Sequence, residues 1–236
     1  MPPRADAARR AGEPAPGTVT ALVLAGGASR RMGRDKIALE IDGRPLLAHA
    51  LDACAAVAEE RIVVGRETPP AGIPADAASL WIADDAPPIG EAAPAERRGP
   101  LWALATGLAR AHGEVTLLVG GDMPALRPAL LTLLAARAAA SGRIVLPLHE
   151  GRPQPLCSAW PVALEPAITR LVEAGGRSPL DAARALEAEL LAPAAYAEAD
   201  PRGDSFLDVD TPEALVAARG LLATPLERRA GTALGR

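Results

Sequence analysis

Residues Leu24 to Lys36 read LAGGASRRMGRDK and follow the apolar run Val19 to Leu24. Two adjacent glycines and a set of cationic side chains in one short loop suit the binding of a polyphosphate. Gly26 and Gly27 carry no Cβ, so backbone amides can approach an anion closely and a positive φ costs little. Arg30, Arg31, Arg34 and Lys36 bring positive charge to the same loop. The spacing excludes two familiar phosphate loops. A Walker A loop needs four residues between its glycines and then Gly-Lys-Ser/Thr, whereas five separate Gly27 from Gly33 and Ile37 follows the lysine. The dinucleotide fingerprint G-x-G-x-x-G is absent. The plainer alternative is a tight strand-to-helix turn with solvated arginines.

A second polar feature stands at Asp122, in GGDMP, directly after the apolar run Val115 to Val119. A carboxylate there has a fixed backbone and partial desolvation. It suits Mg²⁺, which prefers one or two carboxylates together with phosphate oxygens and water. The competing role is a helix N-cap, but the next helix begins at Pro128, too far along for that. A third feature is the pair Asp84-Asp85, which ends the short apolar run Leu80 to Ala83.

These groups need elements to hold them. Val19–Leu24, Arg61–Val64, Leu80–Ala83 and Val115–Val119 read as strands, the first without polar alternation, as for a strand covered on both faces. Residues 45–54 form a helical stripe, with Leu47, Ala50, Leu51 and Cys54 on one side. Helices are also predicted over 101–111, 128–141, 163–174 and 180–190, and strands over 143–147 and 155–160. Asp208-Val209-Asp210 leads into a last helix with Thr211 as N-cap and Pro212 at N1. Strands alternating with helices predict a three-layer α/β/α sandwich, Rossmann-like, with a mainly parallel sheet. Ligands collect at the carboxyl ends of such strands, and the glycine loop, Asp84-Asp85 and Asp122 all follow strands there. Residues 1–17 read as a disordered extension, 18–222 as the folded domain and 223–236 as a tail.

Composition narrows the classes. Of 236 residues, 49% are hydrophobic but only 2% aromatic, so Ala, Leu and Val must build the core. A net charge of −4 argues against nucleic-acid binding, which wants a basic face, and few aromatics are left for base stacking. Cys54 and Cys157 read as buried reduced thiols, and the scattered His49, His112 and His149 give no ligand spacing. No apolar stretch reaches membrane-spanning length and no signal peptide is visible, so a cytoplasmic protein with no membrane contact is expected.

The loop resembles the signature of the molybdenum cofactor guanylyltransferase family and its MobA-like nucleotidyltransferase relatives. That signature is L-A-G-G, a spacer, S-x-R-M-G, then lysine. Leu24, Ala25, Gly26, Gly27, Arg31, Met32, Gly33 and Lys36 stand in register with it. The similarity extends from about Val19 to Ala218 through D-x-P at Asp122, G-P-L at Gly99-Pro100-Leu101, the Arg152-Pro153-Gln154-Pro155-Leu156 segment, G-G-R at Gly175-Gly176-Arg177, and Asp208 to Glu213. The resemblance implies a fold of the nucleotide-diphospho-sugar transferase type and transfer of GMP from GTP to the terminal phosphate of molybdopterin, releasing pyrophosphate. It implies Arg31, Lys36 and Asp122 as catalytic residues. Leu24, Ala25, Gly26, Gly27, Lys36, Asp84 and Asp122 would bind nucleotide, Mg²⁺ would sit on Asp122, and Asp208 is the other candidate metal residue. It leaves room for contact with a molybdoenzyme or a cofactor chaperone. The chain departs from the pattern at Trp102-Ala103, where Ala-Gly is usual, at Gly65, where the guanylyltransferases tend to carry Asn, and at Asp208 and Asp210, where Asn is frequent. Asp at those last positions is common in cytidylyl and sugar-nucleotide relatives. A molybdenum cofactor cytidylyltransferase, a sugar-1-phosphate or phospholactate nucleotidyltransferase, and a non-catalytic cofactor chaperone therefore stay open. Asp208 is expected near a second metal or the acceptor phosphate, Asp210 near the helix cap, and Arg177 either on a ligand oxygen or exposed at a helix end.

Overall fold

The structure is a computed structural model that describes residues 18–26, 36–83, 86–87 and 99–223. Gly27, Arg31, Met32, Gly33, Asp84, Asp85 and the two proposed terminal extensions, Ala223 apart, lie outside the described residues. In chain order the elements are β1 (Val19–Leu24), β2 (Glu40–Ile41), β3 (Arg44–Pro45), α1 (Leu46–Ala55), β4 (Glu60–Val64), β5 (Leu80–Ile82), α2 (Pro100–Leu108), β6 (Val115–Gly120), α3 (Pro128–Ser141) and β7 (Val145–His149). They continue with β8 (Arg152–Pro153), β9 (Cys157–Pro161), α4 (Glu165–Glu173), α5 (Pro179–Ala185), β10 (Glu189–Leu191), α6 (Pro193–Tyr196) and α7 (Pro212–Leu222).

The main sheet runs β10-β7-β9-β6-β1-β4-β5, with β8 paired to β7. β5, β4, β1 and β6 are mutually parallel, as are β7 and β10, while β9 runs antiparallel to β6 and β7. The expected mainly parallel sheet is thus observed. Its side chains alternate between two cores. Ala21, Val23, Leu117 and Val119 face α1 and α3, and Leu22, Leu118, Leu146 and Trp160 face α2, α4 and α5. Both faces are covered, which is why β1 and β6 read as unbroken apolar runs. With so few aromatics, close helix–sheet approach replaces bulk. A Cβ added at Gly107 on α2 would lie 2.3 Å from a Leu22 methyl of β1.

A third, small core lies at one end. Ile41 and Leu46 pack there with Val209 and Ala218, joined by Leu39, Leu207, Leu215 and Leu222. The β2–β3 hairpin turns at Asp42-Gly43, both at positive φ. This mini-core docks α7 and the residues before it onto the chain just after Lys36. Thr211 caps α7 by accepting the Ala214 N–H at 3.1 Å, with Pro212 at N1, as read from sequence. Cys54 and Cys157 are buried and free.

One predicted element is corrected. The helix expected over 180–190 ends at Ala185, and Glu189–Leu191 form the edge strand β10 beside β7. Glu187 adopts φ +52, which stops the helix and turns the chain into the sheet. Alanine and leucine suit either state, so composition concealed the break.

Candidate active site

Sheet order reverses direction at β1. From β1 the chain moves outward to β4 and β5, then returns to place β6 on the other side. The crevice at the carboxyl ends of β1 and β6 is therefore the topological switch point, where open α/β sheets bind ligands. Two hydrogen bonds carry the ladder past the strand ends into this crevice. The Ala25 N–H donates to Val64 O at 2.8 Å, and the Gly121 N–H donates to Leu24 O at 2.9 Å. Leu24 and Ala25 are thus tied by backbone to the ends of β6 and β4 at this crevice, with Gly26 next along the chain.

Lys36 and Asp122, remote in sequence, meet here. Lys36 Nζ donates to Asp122 Oδ2 at 2.5 Å and also to Asp210 Oδ1. Ile37, buried in the main core, anchors the turn that aims the lysine. Only 12% of the Lys36 side chain is exposed, against 23% for Asp122 and 64% for Asp210. Burial works against the charged ammonium, but hydrogen bonds and negative charge from Asp122 and Asp210 outweigh it and raise its pKa above the ordinary lysine value.

Asp208 joins the same cluster. Burial, then its hydrogen bond with Asp210, then the negative charge of Asp210 and Asp122, push its carboxyl above the ordinary value. Asp208 and Asp210 alternate along an extended segment, so both face the same way while Val209 between them is fully buried. The Val209 N–H donates to Asp122 O at 3.1 Å, which fastens this segment beside the Asp122 loop. Sequence reasoning put Asp210 beside the Thr211 cap. The Thr211 hydroxyl makes that cap, and Asp210 pairs with Lys36. The alternation in Asp-Val-Asp was the signal for it.

Among the described residues no three His, Cys, Asp or Glu side chains converge as a ready-made metal cage. Carboxylates gathered at the carboxyl ends of these strands are nevertheless the kind of donor set a divalent cation needs. Asp122 and Asp208 are the pair that fits it.

Other sequence motifs assemble the rim. Gly65 has φ +116, and a Cβ there would fall 2.1 Å from Gly26 N. The missing asparagine thus has a steric cause: the end of β4 presses against the phosphate loop, and no side chain fits. Trp102 is 6% exposed, and its indole N–H donates to Ala86 O at 3.0 Å. Thr106 Oγ1 donates to the same carbonyl at 3.1 Å, and Arg110 Nη2 to Pro87 O at 3.0 Å. One face of α2 therefore clamps the chain just after the Asp84-Asp85 pair. The G-P-L and G-G-R motifs meet through backbone, as the Leu101 N–H donates to Arg177 O at 3.1 Å. Gln154 Nε2 donates to Arg152 O at 3.1 Å, in the turn that links β8 to β9.

A doubly wound sheet with a glycine-bearing switch point, a lysine and clustered carboxylates defines the nucleotidyltransferase class of α/β proteins. The MobA-like NTP transferase domain matches residues 21–189, and the chain belongs to that family. It is 34% identical over 163 residues to the protein of Trichormus variabilis named probable molybdenum cofactor guanylyltransferase, covering 68% of this chain and 74% of that one. A protein of the same name from Natronomonas pharaonis is 31% identical over 219 residues, covering 88% and 100%. The fold matches molybdopterin-guanine dinucleotide biosynthesis protein A from Archaeoglobus fulgidus with a TM-score of 0.70 at 20% identity, over 86% of this chain and 98% of that one.

Proposed function

We propose that this protein is a molybdenum cofactor guanylyltransferase, which transfers GMP from GTP to the terminal phosphate of molybdopterin and releases pyrophosphate. The meeting of Lys36 with Asp122 at the switch point carries this reading. The names of the relatives support the choice of GTP and molybdopterin. Among the described residues no helix is long and apolar enough to cross a membrane. The cytoplasm is the compartment we assign, with no nucleic-acid or membrane partner. Residues 18–222 form the catalytic unit, flanked by the extensions 1–17 and 223–236. A molybdoenzyme or cofactor chaperone is the protein contact this reading allows.

The chemistry is an in-line displacement. An oxygen of the acceptor phosphate forms a bond to the α-phosphorus of the NTP as the bond from that phosphorus to the bridging β-oxygen breaks, and pyrophosphate departs with the electron pair. A phosphate monoester is already anionic near neutral pH, so no general base is required. Positioning and electrostatics supply most of the acceleration. Lys36, together with Arg31 and the amides of Leu24 to Gly27, neutralises charge on the departing pyrophosphate. Asp122 and Asp208 would hold Mg²⁺, which supplies charge neutralisation at the phosphate oxygens. Asp84, two positions after β5 in the sequence, is the further nucleotide-binding residue we assign. Asp210 keeps the Lys36 ammonium oriented over the crevice.

Asp208 favours one rival, cytidylyl transfer to the same acceptor. Pyrophosphate release measured with each NTP and purified molybdopterin or molybdenum cofactor separates the two. Turnover with GTP alone is expected. Turnover with CTP alone moves the assignment to the rival, and nucleotide binding without pyrophosphate leaves a non-catalytic carrier. Asp122→Ala should abolish turnover with the fold retained, and unchanged turnover would falsify the metal role.

A further inference from the structure

Asp200 is the one fully buried carboxylate among the described residues, at 1% exposure. Its Oδ1 accepts the Asp204 N–H at 3.0 Å and its Oδ2 the Ser205 N–H at 2.9 Å. Arg127 Nε lies 3.2 Å from the same Oδ1, an ion pair whose N–H points off line for a hydrogen bond. Arg127 Nη2 donates to Asp204 Oδ2 at 2.8 Å, and the Arg127 backbone N–H donates to Ser205 Oγ at 2.9 Å. Two hydrogen bonds thus join the residue before α3 to the turn at Asp204–Phe206, and an ion pair joins it to Asp200, which holds that turn. Phe206 seats that turn further, with its ring 4.8 Å from His149 and 5.6 Å from Tyr196.

The two joined segments are those that carry the carboxylates of the site. Arg127 follows Asp122 by five residues, and Ser205 precedes Asp208 by three. Close to the site itself the described links between them are the Val209 N–H to Asp122 O bond and the Lys36 ammonium, which bridges Asp122 and Asp210. One backbone bond at 3.1 Å and one ammonium at the end of a flexible side chain do not by themselves fix the spacing of three clustered carboxylates. A buried ionised group is a poor device for stability alone, since apolar packing of similar volume serves that purpose as well or better. Directional bonds to two amides, with an ion pair to a guanidinium beside them, supply a fixed register instead.

We propose that the Arg127–Asp200 brace is a positioning device that sets the separation between the Asp122 carboxylate and the Asp208 and Asp210 carboxylates. The proposal rests on the nucleotidyl-transfer reading for its consequence in rate. Its structural half stands independently, because loosening the brace frees the Val209 amide whether or not the protein turns over.

The test uses the full chain with Asp200→Asn, which keeps the size and removes the charge. Hydrogen exchange in the peptide spanning 207–211 of the nucleotide-free protein should rise by at least about tenfold, while peptides in β1 and β4 keep their rates. In the pyrophosphate assay kcat should fall about 10- to 100-fold, the loss expected from a small displacement of reacting groups. The KM for GTP should stay within about twofold, because the glycine loop is untouched. Arg127→Lys, able to reach one acid but not both, should give intermediate values in both readouts. Unchanged exchange at 207–211 overturns the proposal, and so does a uniform rise across 207–211, β1 and β4, which marks a general staple of the fold. If Asp200→Asn yields no folded protein, Ser205→Ala and Arg127→Lys carry the same readouts with the same outcomes. A wild-type protein that releases no pyrophosphate from any NTP defeats the functional reading, and the exchange measurement still judges the brace.

Discussion

Replacing Lys36 with alanine separates catalytic from structural roles at the centre of the site. The side chain is 12% exposed and holds two carboxylates of unequal environment, Asp122 at 23% and Asp210 at 64% exposure. Loss of one preorganised cationic donor should lower kcat by about 10²–10³, equivalent to about 2.7–4 kcal/mol of transition-state stabilisation. The stability cost is smaller. The exposed Asp210 arm contributes about 0–1 kcal/mol. The half-buried Asp122 arm falls well short of the ~3–5 kcal/mol lost when a fully buried pair is broken. A total near ~1–3 kcal/mol lowers Tm by roughly 3–10 °C in a domain of this size. Asp210→Asn is the partner experiment. It removes only the exposed arm and should cost less than about tenfold in kcat. Pyrophosphate release at saturating GTP and acceptor, with thermal unfolding on the same samples, reads both quantities. A Lys36→Ala enzyme within about threefold of wild-type kcat refutes the assignment, as does an Asp210→Asn loss equal to that of Lys36→Ala.

Three further outcomes follow from other parts of the structure. Gly65→Ala places a Cβ 2.1 Å from Gly26 N at φ +116, so it should raise the KM for GTP and cost about 2–4 kcal/mol of stability, read by nucleotide titration and urea unfolding. Trp102→Phe keeps most of the packing but removes the bond to Ala86 O, and should cost about 1 kcal/mol or somewhat more; no change in urea midpoint counts against the clamp. Asp204 governs part of the acid limb of stability. Burial pushes its carboxyl up, but the hydrogen bonds and charge of Arg127 and Arg202 outweigh that and hold it below the ordinary aspartate value. A folded-state pKa below the unfolded one means that this contribution is complete above the unfolded value and is lost as pH falls through the folded one. Asp204→Asn should therefore flatten the stability profile in that acid window and leave the slope near neutrality unchanged.

The fold and the centre of the site were largely legible in the sequence, for identifiable reasons. β1 and β6 are covered on both faces, so they announce themselves as apolar runs, and the polar residues that end them mark the ligand edge. The meeting of Lys36 with Asp122 followed from topology, because parallel strands that share a crevice deliver their next residues to one place. β10 escaped because Glu189–Leu191 carries no pattern distinct from the alanine-rich helix before it, and a single positive φ at Glu187 makes the difference. The pairing of Asp210 with Lys36 was not legible, because a cap and a salt bridge both suit an aspartate before Thr-Pro. The Arg127–Asp200–Ser205 bonds join segments more than seventy residues apart, and no local spacing encodes such a pairing.

The small core of Ile41, Leu46, Val209 and Ala218 has a consequence for synthesis. Lys36 and Asp210 stand 174 positions apart, so their pairing must close nearly the whole length of the domain. β1, β4 and β6 are all made before the segment that supplies Asp208 and Asp210. Contacts of such long range form late and slowly. A chain made only as far as α3 therefore carries Lys36 and Asp122 without the acidic groups that complete the cluster.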